Sequence, residues 1–202
     1  MKLTLEQIKT ISVGALKVWE ADGAFRFAKC TQKQVDAWYK LDEILGFRAE
    51  TTTGVRLDFH TNSTAFAFTP QINGEYERYE LYIDNVFTYY YTKADFVENT
   101  RKKIVLDGKE HRITLYLPGH EIGALESVEI DDGATIAPHK FDCKMHFFGA
   151  SITQGWETTW DALSYAHNVS RVFNANSVIQ GIGGSYSHNT VFDKDIEFEP
   201  DM

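Results

Sequence analysis

Apolar and polar residues alternate through most of the first 140 residues. Val55, Leu57 and Phe59 are interleaved with Arg56, Asp58 and His60, the pattern of a strand with one buried face. Phe66 and Phe68 continue it, and Asn73-Gly74 predicts a hairpin turn. Tyr79, Leu81 and Ile83 then point one way, and Arg78, Glu80 and Tyr82 the other. Ile104 and Leu106, the Asp107-Gly108 turn, and Ile113, Leu115 and Leu117 predict the clearest hairpin; Val128 and Ile130 run to a turn at Asp132-Gly133. The helical stretch in this half runs from Thr31 to about Leu41. At the N-terminus, Thr4 and Gln7 have the spacing of a capping box, which predicts a short capped helix or turn. Many short alternating strands joined by glycine-containing turns predict an antiparallel β-sandwich over residues 1–140.

From Cys143 the pattern changes. Lys144-Met145-His146-Phe147-Phe148 is a short apolar strand that ends in Gly-Ala-Ser. A helical pattern follows from about Thr158 to Phe173, with Leu163, Ala166, Val169 and Phe173 on one stripe. A second apolar run, Ser177-Val178-Ile179, leads to Gly181-Ile182-Gly183-Gly184-Ser185. Strand, helix and strand with glycines at the strand ends predict a β-α-β unit that begins a parallel sheet over residues 141–202. Such sheets place chemistry at the carboxyl ends of their strands, where Ser151 and Gly184 both fall.

Composition narrows the partners. Twenty Lys and Arg against 29 Asp and Glu give a net charge of −9, which argues against nucleic acid or an anionic membrane surface. Aromatic residues at 14% favour β structure and surfaces that stack on sugars. No apolar run reaches the roughly 18 residues of a membrane span, and the N-terminus lacks the apolar core of a signal peptide. Cys30 and Cys143 follow no metal or redox spacing, so free thiols in a reducing cytoplasm are expected.

A serine at a strand–helix junction projects its hydroxyl over the sheet edge, and its own N–H, near a helix N-terminus, can donate to a developing oxyanion. Gly149 permits the tight turn before Ser151, and Gly184 on the neighbouring strand end can supply a second N–H. A serine after glycine also serves as a plain helix cap. His139, Cys143 and His146 do not converge, because strand alternation puts Cys143 and His146 on opposite faces; no metal site is expected. Trp156, and Tyr186 beside Gly184, either wall a substrate cleft or, in the case of Trp156, pack the loop against the sandwich. Phe87-Thr88-Tyr89-Tyr90-Tyr91 reads as a packing feature.

The segment His146-Phe147-Phe148-Gly149-Ala150-Ser151-Ile152-Thr153-Gln154-Gly155 resembles the first block of the SGNH (GDSL-type) hydrolases, Gly-Asp-Ser-Ile-Thr-x-Gly. Val178-Ile179-Gln180-Gly181-Ile182-Gly183-Gly184 resembles their second block. The resemblance implies Ser151 as nucleophile and backbone oxyanion donor, Gly184 as oxyanion-hole glycine, and an α/β flavodoxin-like domain of which residues 141–202 are the beginning. The region before it resembles the jelly-roll-like sandwich that precedes the catalytic domain in certain carbohydrate deacetylases. The family aspartate is Ala150 here, which changes the loop's hydrogen bonding. The family's third block, Gly-x-Asn-Asp, and its final Asp-x-x-His are absent, so the resemblance implies an N-terminal fragment whose general base lies beyond residue 202.

No in-chain histidine is placed as that base. His188 reads as a rim or substrate-contact residue, or as plainly solvent-exposed, and His146 lies too far down its strand. His60, His111, His120 and His139 read as ordinary surface or turn residues. The expectation is an ester hydrolase acting on an acylated carbohydrate or other small ester, without cofactor and inactive as this fragment. The alternatives are a non-catalytic β-sandwich carbohydrate-binding or scaffold module, and a regulatory pseudo-enzyme. An incomplete parallel sheet exposes an edge, so either a homo-oligomer or a tight dock onto the sandwich is expected to cover Val178-Ile179.

Overall fold

A computed structural model describes residues 1–97, 99–186 and Asp193. The chain opens with α1 (Leu5–Ile11), where Thr4 and Gln7 form the expected capping box. β1 (Ser12–Val13), β2 (Lys17–Ala21) and β3 (Ala24–Ala28) follow. Asp22 and Gly23 between β2 and β3 both have positive φ, 52° and 73°, as a two-residue type I′ hairpin turn requires. Thr31 and Gln34 form a second capping box that starts α2 (Gln32–Leu41). The helix does not end the helical region. Asp42 is extended, closes α2, and accepts from the N–H groups of Ile44 and Leu45 to start α3 (Glu43–Glu50), which has no apolar periodicity to betray it in sequence.

The chain is mostly β. After β4 (Arg56–Thr61), β5 (Ala65–Gln71), β6 (Arg78–Ile83) and β7 (Val86–Thr92) come β8 (Lys102–Val105), β9 (His111–Tyr116), β10 (Ala124–Ile130) and β11 (Ala137–Pro138). One antiparallel sheet runs β1-β4-β9-β6-β7, with β11 also on β4; the other runs β2-β3-β10-β5-β8. Leu57, Phe59, Leu81 and Ile113 of the first share a single hydrophobic cluster with Phe27, Phe66, Phe68 and Val128 of the second.

Two predicted hairpins are overturned. β5 and β6, around Asn73-Gly74, lie in different sheets, and so do β8 and β9, around Asp107-Gly108. Both turns carry the chain from one sheet to the other. Alternation reports which side chains meet the core, and strands facing one core from opposite sheets alternate identically.

β12 (Cys143–Gly149) and β13 (Ala175–Gly181) pair in parallel, from Cys143 against Ala175 to Gly149 against Gly181. The connecting helix is not the continuous one expected from 158 to 173. It is divided into α4 (Ser151–Gln154), a 3₁₀ turn at Asp161–Leu163, and α5 (Tyr165–Val172), which Ser164 caps by accepting from the His167 N–H. The later start changes the buried face to Ala166, His167 and Ser170; Leu163 and Phe173 of the predicted stripe are exposed.

Val178 and Ile179 are buried because β13 docks onto the sheets. Arg56 donates to the Ala175 carbonyl at 3.0 Å, and the Gln180 amide donates to the Lys29 carbonyl at 2.8 Å. Ile179 covers Gly54 so closely that a Cβ there would stand 2.7 Å from the Ile179 Cβ. The tight dock onto the sheets, one of the two expected ways to cover this strand, is present. No helix among the described residues is long and apolar enough to cross a membrane.

Candidate active site

Ser151 is the first residue of α4, separated from the end of β12 by Ala150 alone. The turn works because two glycines let α4 lie on the strand ends. A Cβ on Gly149 would overlap Thr153 Oγ1, and one on Gly181 would overlap the Gln154 backbone N. Gly155 closes α4 in the left-handed region at φ 103°, with its N–H on the Ser151 carbonyl at 2.9 Å. Ser151 is half-buried, and no hydrogen bond engages its hydroxyl among the described residues.

β13 ends one strand away, and its continuation is tied to the serine turn. Ile182 donates to the Gly149 carbonyl at 2.8 Å, and Gly184 turns the chain at φ 79°. Gly183 is held at both ends. Its N–H donates to Gln154 Oε1 at 2.7 Å, and its carbonyl accepts from Arg48 Nη1 at 2.7 Å. The Gly183 carbonyl and the Gly184 N–H belong to one planar trans peptide, so anchoring the carbonyl aims that N–H in the opposite direction. Neither the Ser151 N–H nor the Gly184 N–H donates to a described residue.

Gln154 is the joint of the site. It is fully buried; its Oε1 also accepts from Trp156 Nε1 at 3.1 Å, while its Nε2 donates to the Gly119 carbonyl at 3.1 Å. Trp156 is packed rather than open. Its ring lies 4.3 Å from His120 and 6.4 Å from Tyr76, with the Arg48 guanidinium 5.4 Å from its centroid. Tyr186 is 68% exposed. His188 lies outside the described residues.

His120 lies in a turn, as one of its two expected readings had it, but it is not a surface residue. Only 6% exposed, it sets Nδ1 3.2 Å from Asp161 Oδ1, and its Nε2 has no hydrogen-bond partner among the described residues. Burial alone would raise the Asp161 carboxyl, but His120, the Gly119 N–H and Arg78 hold it below the usual carboxylate range. His146 does sit down the strand, against Phe148 at 3.9 Å; burial lowers its pKa, opposed by a hydrogen bond with Gln180. Trp160 packs on Tyr90 at 4.0 Å and on Phe87 at 5.7 Å, so the Phe87–Tyr91 segment is a packing surface. No group of three or more His, Cys, Asp or Glu side chains among the described residues is arranged to hold a metal ion.

Arg48, Gln154 and the His120–Asp161 pair were missed by sequence reasoning. Gln154 had a local signal, a polar side chain within the serine motif; the others are brought in from positions far away in the chain.

The fold is one of antiparallel sheets leading into a parallel strand–turn–helix–strand, with a serine and a glycine turn at adjacent strand ends. Solved structures share it. The chain superposes on a salicylyl-acyltransferase from a tetracycline biosynthetic pathway with a TM-score of 0.71 at 15% identity, covering 86% of this chain and 52% of that one. It superposes on a protein described as a GDSL-like lipase from Bacteroides ovatus with a TM-score of 0.62 at 18% identity, covering 92% and 57%. A family two carbohydrate esterase from Clostridium thermocellum, solved in complex with cellohexaose, gives 0.50 at 19% identity, covering 66% and 45%. The chain spans about half the length of these structures. No protein-family model matches the sequence, and no curated protein matches it significantly.

Proposed function

We propose that the chain is the N-terminal part of a serine ester hydrolase of the SGNH type that removes acetyl or other small acyl groups from a carbohydrate. In this reading residues 1–140 are a jelly-roll-like sandwich, and residues 141–202 begin the flavodoxin-like α/β domain of a cytoplasmic enzyme. The observation that carries it is the Ser151 turn beside the Gly183–Gly184 turn, with both held by Gln154. Ser151 Oγ attacks the ester carbonyl, and the N–H groups of Ser151 and Gly184 hold the oxyanion of the tetrahedral intermediate. The Gly184 N–H is aimed by Arg48 through the shared peptide, so the sandwich takes part in building the oxyanion site. The carbohydrate preference rests on the esterases among the similar folds and on the exposed aromatic side chain of Tyr186 beside Gly184. No metal or organic cofactor enters this reaction.

In this reading the proton-accepting histidine is not among residues 1–202. The expected result is that this chain alone hydrolyses p-nitrophenyl acetate at the background rate. Turnover abolished by Ser151→Ala would overturn that expectation and turn attention to His120, which Asp161 orients with Nε2 left over. Oligosaccharide binding measured by calorimetry and unaffected by changes at Ser151 or Gly184 would instead favour the non-catalytic binding module.

A further inference from the structure

Three arginines line one cleft between the first sheet and α5, at the end of β13 opposite the serine turn. Arg56 comes from β4, Arg112 from β9 and Arg171 from α5; Asn85, Asn174 and Tyr116 complete the wall. The cleft begins at Ala175, and Gly181 ends the same strand six residues on, about 20 Å away at roughly 3.3 Å per residue. It is therefore separate from the site of Ser151.

The three guanidiniums of this cleft hydrogen-bond a single carboxylate, and Glu80 acts on Arg171 only through space. Arg56 is 3% exposed, and it shares a single fully buried carboxylate, Asp58, with Arg112: 3.1 Å from Arg56 Nε and 2.8 Å from Arg112 Nε and Nη2. Arg171 hydrogen-bonds only neutral groups, Asn168 Oδ1 at 2.6 Å and Tyr116 Oη at 3.4 Å. Each guanidinium carries five N–H donors, and at least two on each make no hydrogen bond to a described residue. The positive field is felt nearby: His167 is pushed down to about 3, first by burial and then by Arg171 and Arg56. The cavity at the bottom of the cleft is about 20 Å³, above the roughly 10–15 Å³ that one water needs. It admits one water-sized group, such as a single oxygen of a larger anion seated in the cleft mouth, and excludes a sugar ring.

We propose that this cleft binds a small tetrahedral oxyanion, a phosphate or sulfate group, through Arg56, Arg112 and Arg171. The overall charge of −9 excludes extended polyanions but does not oppose this site, because screening confines the field to about a Debye length. The group is either a free ion or the charged end of a larger molecule whose remainder stays outside the cavity. The inference does not depend on the role of Ser151.

Sodium phosphate, sodium sulfate and glucose 1-phosphate are titrated into the 202-residue chain by calorimetry at fixed ionic strength set with chloride. Saturable binding with Kd on the order of 1 mM or tighter, in one or more arms, is expected. Tighter binding of glucose 1-phosphate than of phosphate identifies a carried group, and equal binding a free ion. Arg171→Gln removes a guanidinium that hydrogen-bonds no carboxylate, so the fold is retained, and affinity should fall about tenfold or more. Lys109→Gln, the same charge change on an exposed turn, and Ser151→Ala should leave it unchanged. Amide shifts on saturation should centre on Asn85, Ser170 and Asn174, a readout that needs no variant. No saturable binding in any arm, equal loss in Lys109→Gln, or shifts centred elsewhere would overturn the proposal.

Discussion

Replacing Gln154 with leucine tests whether this side chain joins the serine turn, the glycine turn and the turn at Gly119. Leucine is close in volume, so the cavity contribution is small and the effect reports lost hydrogen bonds. The four partners are not equivalent. Gly119 O keeps a second donor, Thr53 Oγ1 at 2.6 Å, and Thr51 Oγ1 keeps Lys29 at 2.7 Å. Neither is stranded by the change. The Gly183 N–H is buried and has no other acceptor, so stranding it costs about 1–3 kcal/mol. Trp156 is half-buried, and its indole N–H loses a bond of about 0.5–1.5 kcal/mol net. The sum is about 2–4 kcal/mol, against a total stability of roughly 5–15 kcal/mol. Urea unfolding followed by far-ultraviolet circular dichroism measures it: with a slope of about 2 kcal/mol/M the midpoint should fall by about 1–2 M. Amide shifts should move at Gly183 and Gly184 even in native buffer. A midpoint within about 0.3 M of wild type, with the Gly183 amide unmoved, would refute the reasoning.

His167 is buried neutral, and its folded pKa of about 3 lies below the unfolded value of about 6.5. The unfolded chain therefore takes up the proton first, and stability falls as pH drops from 6.5 towards 3. His167→Gln should flatten that part of a stability-against-pH curve; equal acid sensitivity in the two proteins would count against this assignment. Gly181→Ala places a Cβ into the backbone of α4 and should cost about 3 kcal/mol. Gly133→Ala, also at a glycine but with φ 79° and open space around it, should cost only about 1–2 kcal/mol. Thermal unfolding compares the two, and equal losses would show that α4 is not pinned to β13 as described.

Much of the local structure was legible in the sequence. The capping box at Thr4, the helix from Thr31, the strand at Val55–Phe59 and the turn at Asp132-Gly133 follow from chemistry among residues a few positions apart. The strand–turn–helix around Ser151 and the glycine turn at Gly183–Gly184 were equally visible, because a short spacing fixes each. α3 was hidden, since its start depends on one Asp42 side chain and its faces show no periodicity.

What the tertiary structure alone decided is how distant segments meet. Whether Asp107-Gly108 closes a hairpin or crosses between sheets depends on which strands find β5 and β4, and alternation carries no such information. The same holds at the site. The sequence by itself determined the serine and glycine turns, because each is a local backbone requirement. Only the packed chain brings Arg48 to Gly183 across 135 positions, His120 to Asp161, and Arg56, Arg112 and Arg171 to one cleft. Those pairings arise from docking β13 and its helices against the sheets, a contact between surfaces that no residue specifies alone.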